Sequence, residues 1–290
     1  MRIIPATNLA CPIDGLPLES HANGRRCANN HTFDTAREGY CNLLVVQHKS
    51  SLDPGDSKGM VAARHRFLEG QHFAPIADFL CKSALDCLAT KPGNATFNIV
   101  DAGCGEGYYL DHLARQLSDR PLTPTSVSLA GIDVSKWAVR QAARRKSPVT
   151  WLVANNRHPP FLAGSVDLIV CLFGFPVWEG FRSVQVPGQH VLLVDPGADH
   201  LLELRQIIYP TVTRQPASSL AASLAARYRL QHEHNLRFAV SLSSHQTIQD
   251  LLAMTPHAHR LTDPGRTALA AVSNLTVTVD VTFRLMILND

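Results

Sequence analysis

The sequence is poor in charge and has no long apolar run. Only 18% of its 290 residues are Asp, Glu, Lys or Arg, while 45% are hydrophobic. That balance excludes a mainly disordered chain and suffices for a buried core. No segment approaches the run of about 18 apolar residues that a membrane span needs. The opening MRIIPATNLAC lacks the apolar stretch of a secretory signal. Cysteine is sparse and odd in number, seven scattered along the chain. That excludes a disulfide framework and fits a reducing cytoplasm. The net charge of +3 admits an anionic partner without demanding one. Internal repeats and low-complexity tracts are absent as well.

What is present falls into three zones. Residues 1–45 are short, turn-rich segments; residues 46–95 have helical spacing, with Met60, Ala63, Phe67 and Leu68 three or four apart; residues 96–290 alternate apolar runs with helix-length stretches. The runs are Phe97–Ala102, Leu129–Val134, Thr150–Ala154, Leu168–Leu172, His190–Val194, Leu236–Leu242 and Thr276–Leu288. The first five have the βαβ rhythm of a parallel sheet covered on both faces. The last is longer and alternates, which suits an antiparallel strand added late. The expected fold is therefore α/β, a doubly wound, mostly parallel, seven-stranded Rossmann-like sheet. Turns are expected at Asp53-Pro54-Gly55-Asp56 and over Gln215–Ser219.

The sharpest motif is Asp101-Ala102-Gly103-Cys104-Gly105-Glu106-Gly107, between a strand and a helix. Glycines there let backbone approach a ligand closely. The spacing is not the G-x-G-x-x-G of a dinucleotide site. Asp101 and Glu106 would also repel a pyrophosphate. They suit a cationic or zwitterionic ligand such as S-adenosylmethionine, which carries a sulfonium and an ammonium group and no phosphate. Asp133, ending the second strand, can take both ribose hydroxyls. Asn155, ending the third, can meet an adenine edge. The loop Phe173-Gly174-Phe175-Pro176 follows the fourth strand, where such folds face the transferred methyl group. This portion resembles the class I S-adenosylmethionine-dependent methyltransferases.

Near the N-terminus, Cys11 and Asp14 precede Cys27 and His31. Zinc takes four tetrahedral ligands, often as two close pairs. Cys27 and His31 make one pair; Asp14 stands where the other would have its second thiolate, and His21 is a substitute. The other reading is a small loop module with no metal.

Cys27 through Ser57, with Phe33-Asp34-Thr35-Ala36-Arg37-Glu38-Gly39-Tyr40 at its centre, is specific text. Together with Gly105-Glu106-Gly107-Tyr108-Tyr109 and Asp133-Val134-Ser135-Lys136, it resembles the bacterial 23S rRNA guanine-N1 methyltransferases over about residues 11–210. The resemblance implies a zinc-ribbon-like RNA-docking module at 1–45, a helical connector at 46–95 and the methyltransferase domain at 96–290. It implies zinc ligands at Cys11, Asp14, Cys27 and His31, with Asp14 in place of the family's Cys. It implies cofactor contacts at Phe73, where the family has Tyr, and at Gly105, Glu106 and His200, beside Asp101, Gly103, Asp133 and Asn155. It further implies methyl transfer to N1 of a guanine in an rRNA hairpin loop, a cytoplasmic location and a two-fold dimer. No general base is assigned.

The loop Phe173–Trp178 departs from the family's text. That departure motivates two alternatives: methylation of another RNA base or a small molecule, and a silent RNA-binding module that keeps the cofactor fold. Phe173, Phe175 and Trp178 offer rings for a splayed base. Arg25, Arg26, Arg37, Lys49, Arg64 and Arg66 form one cationic group, and Arg140, Arg144, Arg145 and Lys146 another.

Overall fold

A computed structural model describes residues 1–45, 54–91, 95–121, 125–212 and 227–289. Lys49 and the turn expected at Gln215–Ser219 lie outside the described residues.

Seven strands form the main sheet from the runs read above. They are β6 (Phe97–Ala102), β7 (Ser126–Asp133), β8 (Thr150–Val153), β9 (Val166–Leu172), β10 (Gln185–Pro196), β11 (Tyr228–Leu242) and β12 (Leu275–Leu288). Their order is β11-β12-β10-β9-β6-β7-β8. The pairs from β10 to β8 are parallel, and β12 runs antiparallel to both its neighbours. Two more strands come from the N-terminal segment, making nine. β5 (Tyr40–Asn42) extends the sheet beside β8, and β1 (Arg2–Ile4) pairs in parallel with the start of β7. Residues 1–45, expected as a small separate module, thus supply two strands to the large sheet. Only β2 (Glu19–His21), β3 (Gly24–Arg26) and β4 (Thr32–Asp34) form a sheet of their own.

The parallel strands read as unbroken apolar runs because both sheet faces are covered. Alternate residues then serve opposite cores. Leu168, Val170 and Leu172 of β9 join one cluster with Phe67, Ile76, Leu80 and Leu113. Ile169 and Cys171 join the other, with Leu9, Cys11, Leu18 and Cys27 of the N-terminal segment. The helices packed on the first cluster include α1 (Lys58–Glu69), α2 (Ala74–Ala89) and α3 (Tyr108–Ser118). Ser57 caps α1 by accepting from Met60 N–H, and Pro75 opens α2. α4 (Lys136–Ala143) follows β7, α5 (Trp178–Val184) follows β9, and α6 (Leu202–Ile208) follows β10. α7 (His245–Ala253) and α8 (Asp263–Ala270) lie between β11 and β12. Among the described residues, no helix is long and apolar enough to cross a membrane.

Two segments far apart in sequence, α1 and α7, meet. Arg66 grips Asp250 with two hydrogen bonds of 2.6 and 2.9 Å, and Arg64 donates to the Met254 carbonyl at 3.0 Å. Arg64 also pairs with Asp56. Both arginines, expected among RNA-facing cations, are thus engaged within the fold.

Candidate methyl-transfer site and metal cluster

The glycine turn joins β6 to α3 at the carboxyl edge of the sheet. Gly103, Gly105 and Gly107 all have positive φ, at 95°, 54° and 84°, which side chains rarely adopt. They differ in what surrounds them. A Cβ on Gly107 would stand 2.7 Å from the Trp151 ring, so that glycine serves packing. A Cβ on Gly103 would meet nothing within 4 Å, and one on Gly105 only the Arg64 side chain at 3.6 Å. Those two positions face a space in which a ligand can touch bare backbone.

Two carboxylates line this turn. Asp101 is buried, and its Oδ1 has no hydrogen-bond partner among the described residues. Burial and then the charge of Asp133 push its pKa up to about 8. Asp133 accepts from Gly105 N–H at 2.9 Å and from Ser135 N–H at 2.8 Å. Burial raises its pKa, and those two bonds oppose the rise. The third acid, Glu106, is placed differently from the expectation. Its side chain is fully buried, and its carboxylate pairs with Arg145 and, at 2.9 Å, with His65. Arg145 also donates to the Glu106 carbonyl at 2.9 Å and pairs with Glu69 at 2.8 Å. This ion cluster fixes the turn from inside the protein. No local pattern in the sequence marks His65 or Arg145 for this task, and Arg145 stands in a basic run.

A second group of residues is aromatic. The ring of Phe73, at the N-cap of α2, lies 6.3 Å from that of His200, and the ring of Phe173 lies 5.8 Å from it. Phe173 has φ of 52° and is 39% exposed; Phe175 is 90% exposed. A non-glycine residue held in the left-handed region is a feature of functional loops. Trp178, by contrast, packs on Tyr228 with ring centroids 4.9 Å apart. Asn155 shapes the loop after β8: its Oδ1 accepts from Arg157 N–H at 3.1 Å and His158 N–H at 2.8 Å.

Cys11, Asp14, Cys27 and His31 come together, one ligand atom of each lying within 4.8 Å of all the others. His31 Nδ1 is 3.0 Å from Asp14 Oδ2 and 3.4 Å from Cys27 Sγ. Asp14 is anchored by Leu16 N–H at 3.1 Å and Asn29 Nδ2 at 3.0 Å. Burial pushes the Cys11 thiol up to about 11. His21, the substitute considered above, is in β2 and outside this group.

Comparison with known proteins agrees with both halves of this geometry. A zinc-ribbon family model described as RlmA, N-terminal, matches residues 9–52, and one described as Methyltransferase domain matches residues 99–197. A 23S rRNA (guanine(748)-N(1))-methyltransferase of Streptomyces fradiae is 32% identical, with 95% of each chain covered. The chain belongs to the 23S rRNA (guanine-N1)-methyltransferase family. Relatives from Micromonospora griseorubida (32% identical, 96% of each chain) and Bacillus subtilis strain 168 (28%, 97% of each) are named for the same activity.

The residues of this methyltransferase fit the two groups its family implies. When bound, S-adenosylmethionine would offer an ammonium to the unpartnered Asp101 oxygen, hydroxyls to Asp133, and atoms for the space over Gly103 and Gly105. Zinc suits two thiolates, an imidazole and a carboxylate oxygen that lie within 4.8 Å of one another.

The ion cluster behind the turn carries a prediction of its own. Arg145→Ala leaves the buried Glu106 carboxylate with His65, at 2.9 Å, in place of two cationic partners, which costs on the order of 3 kcal/mol. Chemical denaturation should show that loss; a change under 1 kcal/mol would mean that water replaces the guanidinium.

Proposed function

We propose that this chain methylates N1 of one guanine in a hairpin loop of 23S rRNA, using S-adenosylmethionine. The observation that carries the reading is the 95% two-way coverage at 32% identity with the Streptomyces fradiae enzyme. The site geometry supplies the parts. The cofactor brings an already activated methyl group, so the protein's task is alignment and electrostatics. Gly103 and Gly105 admit it, Asp101 takes its ammonium, Asp133 its ribose, and Asn155 borders its adenine. Phe73 and His200 close the methionine side. Phe173 and Phe175 offer exposed faces on which a splayed base can stack. Arg25, Arg26 and Arg37 of the N-terminal segment are left for the RNA backbone, since Arg64, Arg66 and Arg145 are engaged internally. One chain contains every residue named here, so the reading needs no second copy. Its substrate places the protein in the cytoplasm.

The test uses ribosomal RNA from a strain lacking the gene, the purified protein and methyl-labelled cofactor. Methylation at N1 blocks the pairing edge, so reverse transcription should stop at one loop guanine. Label without a stop would move the reaction to another atom or base. Binding of cofactor with no label in any RNA would favour the small-molecule or silent-module readings.

A further inference from the structure

His200 stands in the segment Gly197–Leu201, between β10 and α6, and that segment is fastened to β12. Gly197 N–H donates to the Asp280 carbonyl at 2.8 Å, Asp199 N–H to Asp280 Oδ2 at 3.0 Å, and Leu201 N–H to the Thr278 carbonyl at 2.7 Å. Asn235 Nδ2 holds the other carboxylate oxygen of Asp280 at 2.8 Å. A Cβ on Gly197 would fall 2.3 Å from that carboxylate, so the close approach requires glycine.

This fastening decides which nitrogen of His200 carries the proton. Asp280 N–H donates to His200 Nδ1 at 3.3 Å. A ring nitrogen that accepts an N–H has its lone pair engaged, so the neutral ring carries hydrogen on Nε2. The ring centroid is 6.3 Å from that of Phe73 and 5.8 Å from that of Phe173, and Phe173 is 39% exposed. Burial lowers the pKa of His200 to about 4; Asp280 opposes this, and His257 and Arg205 reinforce it. At neutral pH the ring is an uncharged N–H donor with no lone pair to offer from Nε2.

We propose that His200 is a catalytic hydrogen-bond donor to the guanine O6, and not the base that removes the N1 proton. This rests on the guanine-N1 reading above. In the reaction, N1 bonds to the methyl carbon as the C–S electron pair stays on sulfur. The N1–H bond breaks, its proton passes to water, and its electron pair remains on the purine. Until the new bond is complete, that pair is shared through C6 with O6. A fixed donor at O6 stabilises the charge where it develops, as backbone and amide donors do at oxyanions.

Two measurements on the full chain test this. Nitrogen NMR of the histidine rings, with His200 assigned by its loss in His200→Gln, should show Nε2–H and a bare Nδ1, unchanged from pH 5.5 to 8. Single-turnover methylation of 23S rRNA at saturating cofactor should fall about 100-fold or more in His200→Phe. In His200→Gln, which keeps an N–H donor, it should stay within about tenfold of the wild type. Three outcomes would overturn the proposal alone: hydrogen on Nδ1, equal losses in both variants, or a wild-type acid limb between pH 6 and 7 that His200→Gln abolishes. A wild-type protein that methylates no guanine N1 would remove the proposal and the reading beneath it together.

Discussion

Gly105→Val should raise the dissociation constant for S-adenosylmethionine by at least about 100-fold, equivalent to roughly 2.7 kcal/mol. Two effects act at this position. The residue sits at φ of 54°, where a β-branched side chain is strained. That strain is present with or without ligand, and so lowers stability and not affinity. The loss of affinity comes from volume: the new side chain fills the space that the glycine leaves open above the turn. Gly164→Val separates the two. Gly164 has a φ of 60° and nothing within 4 Å of its Cβ direction, and it lies in the loop before β9. It should show the same kind of destabilisation with the cofactor affinity intact. Calorimetry on both variants decides; unchanged affinity in Gly105→Val would mean that the cofactor does not cross this turn.

The second large effect concerns the metal. The purified protein should carry one zinc per chain. Cys27→Ala should carry none and lose at least about 3 kcal/mol of stability, part of the roughly 10–16 kcal/mol that zinc supplies to isolated fingers. The loss is partial because Cys11 and Cys27 also belong to the core beneath the sheet, which persists without metal. Asp14→Cys, exchanging a hard oxygen for a soft thiolate, should hold zinc about tenfold or more tighter against a chelator. Metal analysis and chelator titration read both results. A metal-free wild type whose melting ignores chelator would assign the four residues to packing.

Much of the fold was legible because burial on both sheet faces writes itself into sequence. β6 occupies the very residues of its apolar run, and β8 and β9 differ from theirs by one or two residues at an end. β11 was read from Leu236 and begins at Tyr228. Its first half, YRLQHEHN, is mostly exposed and carries no apolar pattern; pairing with β12 alone makes it a strand. β1 and β5 were missed as members of the main sheet for a related reason. Three residues are too few to show a period, and their place depends on partners far along the chain.

The site divides the same way. The turn glycines, Asp101 and Asp133 are local features with a spacing, and the geometry brings them together. Glu106 carried the same signal and lies turned inward, because its partners Arg145 and His65 come from other elements. The fastening of His200 by Asp280 spans 80 positions of sequence, and no local pattern announces it. Phe173 and Trp178 looked alike in the sequence; Tyr228, reached only through β11, takes Trp178 into the packing and leaves Phe173 at the opening.

The bonds from α1 to α7 also set an order of events in synthesis. Arg64 overlies the cofactor turn, yet its carbonyl partner is Met254, and the carboxylate that holds Arg66 is Asp250. A nascent chain can complete the glycine turn once β7 has emerged, but the cover over that turn waits for α7. The segment that fastens His200 waits longer still, for β12. The glycine turn therefore closes through contacts local in sequence, whereas the fastening of His200 needs partners some 80 positions away.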